Sequence, residues 1–476
     1  LLLLATSSAA ADPWIGAGDA TMRHDLELLA DAGIVRAPLT AWPVSWAEVA
    51  RDVGQAAPDP RRPPWVAAAL ARVRAAAGEA TRTGRMNATA RLSGSAEPMA
   101  LRRFGETPRE EGELAGGVQY TGDRFAFRLQ AAAVADPDDN QEVRPDGSYA
   151  AVVLGNWMMH AGYIDRWWGP GWEGSLIYGS NARPIPSLTI ERNFSDPIDH
   201  PWLRWIGQWR FVVTMGQLEA SRDDAPNAQL FGARITWKPH PRLEVGLSRS
   251  AQWCGDGRPC DASTFWDLLT GNDNDQPREE QPGNQMAGFD ARWSLPWLPV
   301  AVYGQMIGED EANNLPSQFL GLFGMEVTGG LGDSSWRAHL EYADTVCSFY
   351  DSEPQFGCAY QNVIYTDGYQ YRDRSIGHAI DGDSRQLAAG VMLVRADGSS
   401  WELAAQTADV NREGENDVHS VEPGPTRIQS ADLYHRRLLW GGELTAALGY
   451  ERRSREGPES DSDDVRGFLQ WTRRFE

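Results

Sequence analysis

From Arg85 onward the apolar positions recur at every second residue. Phe125, Phe127, Leu129, Ala131 and Ala133 alternate with Arg128 and Gln130, and Phe231, Ala233, Ile235 and Trp237 alternate with Gly232, Arg234 and Thr236. The same period runs through Leu243-Val245-Leu247, Ala287-Phe289-Ala291-Trp293-Leu295 and Phe319-Gly321-Phe323-Met325-Val327. A period of two predicts strands with one apolar and one polar face. It leaves open which face points inward, because a soluble sandwich buries the apolar face and a membrane barrel turns it to lipid.

Loop lengths separate these readings. Short turns at 121–124, 239–242, 295–299, 330–335 and 396–400 alternate with long acidic connections at 135–148, 252–283, 346–384 and 411–431. That asymmetry predicts an all-β transmembrane barrel of about eighteen antiparallel strands, with short periplasmic turns and long external loops. The last strand is expected at Val465 to Phe475, one residue short of the final Glu476.

Residues 12–84 follow a different period. Met22, Leu26 and Leu29 recur at helical spacing behind Asp19, with Gly33 as the stop. Ser45 and Glu48 form a capping box, with Val44 as its staple. Pro63 and Pro64 open a third helix striped by Val66, Leu70 and Val73. Three helices of this size bury too little surface to stand alone. They are expected to form a small periplasmic α-helical bundle plugging the barrel of residues 85–476.

Composition narrows the function. The net charge of -22 argues against a nucleic-acid partner, since such binding rests on basic residues displacing counterions. No apolar run reaches the roughly 18 residues of a spanning helix. The opening LLLLATSSAAADPW reads as the end of a secretory signal over 1–11, with Ala9 and Ala11 at the cleavage positions and Asp12 as the first mature residue. The alternative is a frayed apolar terminus. The four cysteines fall into close pairs, Cys254 with Cys260 and Cys347 with Cys358, which in an exported chain read as loop-stapling disulfides. Zinc is the competing idea, but neither pair has C-x-x-C spacing and no His is close in sequence, so neither a metal nor a cofactor is expected.

One stretch fits no regular element: DRWWGPGWEGSLIYGSNAR, 165 to 183. With HDLELLADAGIVRAPLTAWPVSW upstream and its own continuation PIPSLTIERN, it resembles the Wzi family of capsule assembly proteins. The resemblance covers essentially the whole mature chain. It implies an eighteen-stranded outer-membrane barrel closed below by a periplasmic helical bundle, acting without catalysis as a lectin that attaches capsular or other surface polysaccharide. If Tyr149 to Ile164 runs down the wall, Asp165 to Gly171 becomes a periplasmic turn. Arg166, Trp167, Trp168, Gly169, Pro170, Gly171, Asn181 and Arg183 are then family-motif residues of structural purpose. Trp167, Trp168 and Trp172 would anchor at the interface or pack on the helical head, the alternative being sugar stacking.

The chemistry points to binding. The eight histidines are scattered with no G-x-S-x-G elbow, and His200, His240 and His378 read as solvated loop residues. Paired glycosidase carboxylates are not distinguishable in sequence. External loops mixing aromatic, amide and acidic groups suit carbohydrate. Trp253, Phe265, Trp266, Asp267 and Asn272 lie in one, and Phe349, Tyr350, Tyr360, Tyr365, Tyr369, Tyr371 and Arg372 in another. Of these, Tyr360, Tyr365, Tyr369, Tyr371, Arg372, Trp253, Trp266 and Asp267 are the candidate carbohydrate-binding residues. The other reading of the tyrosines is a cluster packed over the barrel mouth. An acidic glycan would further need a positive field near Arg372 and Arg374, or a bridging cation.

The expected protein is therefore a monomeric outer-membrane lectin for capsular or exopolysaccharide, in contact with membrane lipid and lipopolysaccharide and inserted by the barrel assembly machinery. The rival is a porin-like channel for a small solute or sugar, lined by Arg128, Arg234, Glu244, Asp290 and Arg292. A purely structural anchor is the third possibility.

Overall fold

The computed structural model describes residues 12–270, 283–312, 315–414, 416–455 and 461–475. The expected signal remnant, Asn272 and Glu476 lie outside the described residues. A single sheet closes on itself, the final strand Ser462–Phe475 pairing antiparallel with the first barrel strand Arg85–Ala96, Trp471 opposite Leu92. All neighbours are antiparallel, and counting the interrupted strand Val143–Arg144 and Tyr149–Leu154 once gives eighteen positions around the barrel.

Exposure along the strands answers the question that periodicity left open. Leu247, Phe289, Leu403 and Leu469 are 47%, 46%, 53% and 61% exposed, whereas Arg234, Asp290, Glu326 and Arg337 are each 1% exposed. The apolar face is outside and the charged face inside, the inverse of a soluble sandwich. Hydrocarbon tolerates such a wall because a closed sheet leaves no unpaired edge.

Inside sit helices α1 (Ala20–Asp31), α2 (Trp46–Gln55) and α3 (Pro64–Ala80). Asp19 caps α1 by accepting the Met22 amide, and proline opens α3, both as the sequence indicates. The capping box of α2 is only half formed. Ser45 accepts the Glu48 amide, but the Glu48 carboxylate turns outward to accept the amide and hydroxyl of Ser195, in the connection after barrel strand Pro186–Arg192. A local cap is thus given up for a plug-to-wall tie. The helices sit toward the short-turn end: Trp65 packs on Gly330, where an added methyl would meet its ring at 1.9 Å, and Arg72 donates to the Arg395 carbonyl.

The polar face of α1 is buried too. Arg23, His24, Asp25 and Glu27 are at most 2% exposed because that face meets the charged lumen rather than solvent. The residues expected to line a channel are held in the same way. Arg234 pairs with Asp290 at 2.6 Å and with the Thr40 carbonyl at 3.0 Å; Glu244 accepts the amides of Leu39 and Thr40; Arg292 reaches Asp31; Arg128 reaches Asp12. Alongside the plug remains a cavity of about 780 Å³, bordered by Trp14, Arg91, Arg103, Arg436 and Arg474.

Candidate functional site

The tryptophan stretch does not form a turn at the short-turn end of the barrel, where the sequence places it. Tyr149 to Ile164 is not one strand but a hairpin, Tyr149–Leu154 and Trp157–Tyr163, reversing at Gly155, whose φ is +63°. That extra reversal carries residues 164–185 to the long-loop end, from which they run into the lumen before Pro186–Arg192 resumes the wall.

There the segment packs on the helical head, one of the two structural roles foreseen for it. Trp167 and Trp168 pair antiparallel with Trp42 and Ala41. Trp167, Trp168 and Trp172 are each 1% exposed, so none is an interface anchor or an open sugar platform. Arg23 of α1 donates to the carbonyls of Pro170 and Gly171 at 2.6 and 2.7 Å, its guanidinium 4.2 Å from the Trp172 ring. From the wall, Glu341 accepts the amides of Trp172, Glu173 and Gly174 at 2.8, 3.1 and 3.0 Å, and the Tyr303 hydroxyl. Gln305 bridges the Leu176 amide and the Trp168 carbonyl. The glycines are required by close approach: a methyl at Gly171 would lie 2.2 Å from the Gly174 carbonyl oxygen, and one at Gly174 would lie 1.8 Å from His378 Nε2. Arg166 donates to Thr189, Asn181 to the Ser375 carbonyl, and Arg183 to Asp146 and Asp139.

His378 belongs to a lid formed by the loop between strands Ser334–Asp344 and Arg385–Val394. Tyr360, Tyr365, Tyr369 and Tyr371 are 1%, 0%, 1% and 4% exposed, which corrects their reading as open sugar platforms in favour of the packed-mouth alternative. The Tyr360 hydroxyl donates to the Leu176 carbonyl at 2.7 Å, Tyr369 to Ile177 at 2.9 Å, and Tyr365 to Cys254 at 3.0 Å. Burial pushes the Tyr360 and Tyr369 hydroxyls well above their ordinary range, so they stay donors. Both expected disulfides, Cys254–Cys260 and Cys347–Cys358, are formed. Arg372 and Arg374 face Asp139 and Asp138 at 3.8 and 3.2 Å, so the positive field considered for them is neutralised locally. Trp253 is half-buried, while Trp266 and Asp267 sit on a short helix, α4 (Ala262–Thr270), with Trp266 65% exposed. Trp253 packs on Phe265 of α4, and α4 lies against the outer wall rather than over the mouth. Glu173, Glu341 and His378, which hold the segment in place, carried no recognisable spacing in the sequence.

His378 is fully enclosed rather than solvated, and burial lowers its pKa to about 4. Beside it burial opposes the charge on Glu173, yet the Arg103 guanidinium and the His339 hydrogen bond hold that group at about 2. His378 Nδ1 accepts the Ile380 amide, a bond lost on protonation. A lowered folded pKa means that the released lid binds more protons, so the contribution is complete above pH 6.5 and is lost as pH falls through 4. It amounts to about 3 kcal/mol at one pKa unit per 1.36 kcal/mol. Protection factors across 346–384, which correct for the slower intrinsic amide exchange at low pH, are therefore expected to fall between pH 6.5 and 4 in the intact protein and to be flatter in His378→Asn. Identical pH profiles would contradict this account.

Residues 81–464 match the family described as capsule assembly protein Wzi. A protein of Klebsiella pneumoniae, described as an uncharacterized 55.8 kDa protein in the cps region, is 31% identical over 461 residues, spanning 94% of this chain and 86% of the relative. The solved structure of Wzi from Escherichia coli, described as an outer-membrane protein involved in group 1 capsule assembly and a carbohydrate-binding β-barrel, is similar with a TM-score of 0.85. It shares 28% identity and covers 98% of this chain and 100% of its own.

Proposed function

The chain belongs to the Wzi family of capsule assembly proteins, and from that premise we propose that it is an outer-membrane barrel that binds surface polysaccharide and helps assemble capsule on the cell. In this reading the long loops face outward, the helical plug faces the periplasm, and the protein acts by binding without catalysis. The observation that carries it is the construction of the mouth. The tyrosine lid is hydrogen-bonded to a segment that is itself fixed to both the plug and the wall, so the loops form a stiff surface over that segment and the plug. Stiffness favours recognition of a flexible polymer, because the protein then loses little entropy on binding. The buried tyrosines support that surface from beneath, and contact falls to exposed groups above them, such as Val363 at 56% exposure.

The test is equilibrium binding of the detergent-purified full chain to surface polysaccharide from its own source. A Val363→Cys variant carrying a bulky maleimide-linked polymer serves as control. Saturable binding, weakened about tenfold or more by the modification, is expected, a change of about 1.4 kcal/mol. Absence of saturable binding by the unmodified protein would overturn the reading.

A further inference from the structure

Two aromatic segments fold back over the outside of the barrel at its long-loop rim. The first is α4. Along strands Gln208–Gln217, Gln229–His240 and Leu243–Trp253 the lumen receives Thr214, Arg234 and Ser250, so Met215, Phe231 and Ala251 face outward. At this level, however, Phe231 is only 7% and Ala251 1% exposed, because α4 covers them with Phe265 and Leu268. The Phe265 ring lies 5.4 Å from that of Phe231 and 4.9 Å from that of Trp253.

Arg249 and Gln285 also face outward there. An arginine on the lipid face of a barrel is costly near the bilayer centre and becomes tolerable toward the interface. Here its guanidinium donates to the Leu268 and Leu269 carbonyls at 2.7 and 2.9 Å and to Gln285. Those carbonyls belong to the last turn of α4, which lacks intrahelical donors and attracts a cation. The wall arginine and the helix end thus satisfy each other.

The second segment follows strand Ser334–Asp344. Phe349 lies on Gly321, which faces outward between the lumenal Leu320 and Leu322, and a methyl at Gly321 would meet its ring at 2.4 Å. Tyr350 packs edge-on against Phe349 at 5.3 Å. Each segment begins beside a disulfide, Cys254–Cys260 for α4 and Cys347–Cys358 for Phe349-Tyr350. Beyond these packed rings, Trp266 and Tyr350 stand 65% and 55% exposed. Directly below on the same strands lies the lipid-facing belt, with Leu247, Phe323 and Leu340 at 47%, 42% and 46% exposure.

We infer that α4 and the Phe349-Tyr350 segment form an interfacial collar that binds outer-leaflet lipid at the boundary between headgroups and acyl chains. The occupant is membrane lipid because the surface continues the lipid-facing belt and lies outside the wall, away from the mouth. Amphipathic indole and phenol rings favour that depth, where one edge is apolar and the other is wet. The two disulfides then hold the collar against the wall as well as shaping loops. This inference does not depend on glycan binding.

All four cysteines are disulfide-bonded, so one introduced cysteine is a unique labelling position. Trp266→Cys, Tyr350→Cys and the lid control Val363→Cys would each carry a nitroxide, with the full chain reconstituted in phosphatidylcholine vesicles. Collision with oxygen, which partitions into bilayers, is compared with collision with a nickel chelate, which stays in water. The oxygen-to-nickel ratio at 266 and 350 is expected to be several-fold higher than at 363. Ratios equal to that of the lid control would place both segments in water and overturn the collar. Seating of the label in a protein pocket is recognised by both reagents being excluded at 266 or 350, which would equally overturn it.

Discussion

Replacing Glu341 with alanine is expected to loosen the whole mouth while leaving the barrel closed. One carboxylate accepts three consecutive backbone amides and the Tyr303 hydroxyl in a site with no solvent access. Alanine would leave these four donors buried without an acceptor. At about 1–3 kcal/mol for each stranded group, and with water recovering part of the loss, a net destabilisation of about 3–6 kcal/mol is expected. The damage is local, because Glu341 is a side-chain ligand and the strand ladders on either side of it are intact. Near-ultraviolet circular dichroism should lose the signal of the ordered indoles, since Trp172 is held between Arg23 and Arg337. The far-ultraviolet β-sheet signal should persist. Proteolysis within 346–384 should quicken because Tyr360 and Tyr369 dock on Leu176 and Ile177 of the same segment. Glu341→Gln, which keeps one accepting oxygen, should fall between. An alanine variant with unchanged melting and protease resistance would remove Glu341 from this account.

The barrel was readable because its signal is redundant. A period of two repeats along strand after strand, so a mistake in one strand does not disturb the rest. The pattern is locally ambiguous at Leu154-Gly155-Asn156-Trp157, where a Gly-Asn reversal sits inside an otherwise apolar run; taken as one continuous strand, that run places the tryptophan segment at the wrong end of the molecule. The helical head was legible from its caps and stripes, but its polar face was not. Arg23 and Glu27 look like solvated charges until the lumen brings Arg337 to Glu27, and Asp25 looks solvated until Arg72 of α3 pairs with it. Pattern reading assigns polar to water, and a plugged barrel breaks that assignment by turning two charged surfaces toward each other. The tyrosines fail for a related reason. Their sequence is loop-like and polar around them, yet the hydroxyls of Tyr360, Tyr365 and Tyr369 find carbonyls only after distant segments meet. The cysteine pairs are local and were readable. Their relation to the outer wall required knowing which strand residues point outward.

Arg337→Met is expected to unlock the plug and to give a barrel that conducts intermittently. Arg337 projects from the wall into α1, donating to Glu27 at 2.5 Å and to Glu326, with Nε 3.3 Å from His24 Nδ1 and its guanidinium over the Trp172 ring at 4.7 Å. Methionine fills much of the same volume, so the charge is removed with little cavity. What remains is a pair of enclosed carboxylates with less counter-charge, Glu27 keeping Arg23 and Glu326 keeping Arg292. Removing one partner from such a buried network costs about 3–5 kcal/mol, and the retained cations put the expected loss at the lower end. That strain falls on the joint between α1 and the wall, beside a lumen that already contains the 780 Å³ cavity. Planar-bilayer recordings should therefore show brief openings absent from the parent protein. Adding Glu27→Gln should suppress them by removing one of the unbalanced charges. Openings in the parent protein would revive the channel reading for the native state. Silence in Arg337→Met together with unchanged thermal stability would mean that the aromatic contacts around Trp42, Phe104 and Trp167 hold the plug without this ion network.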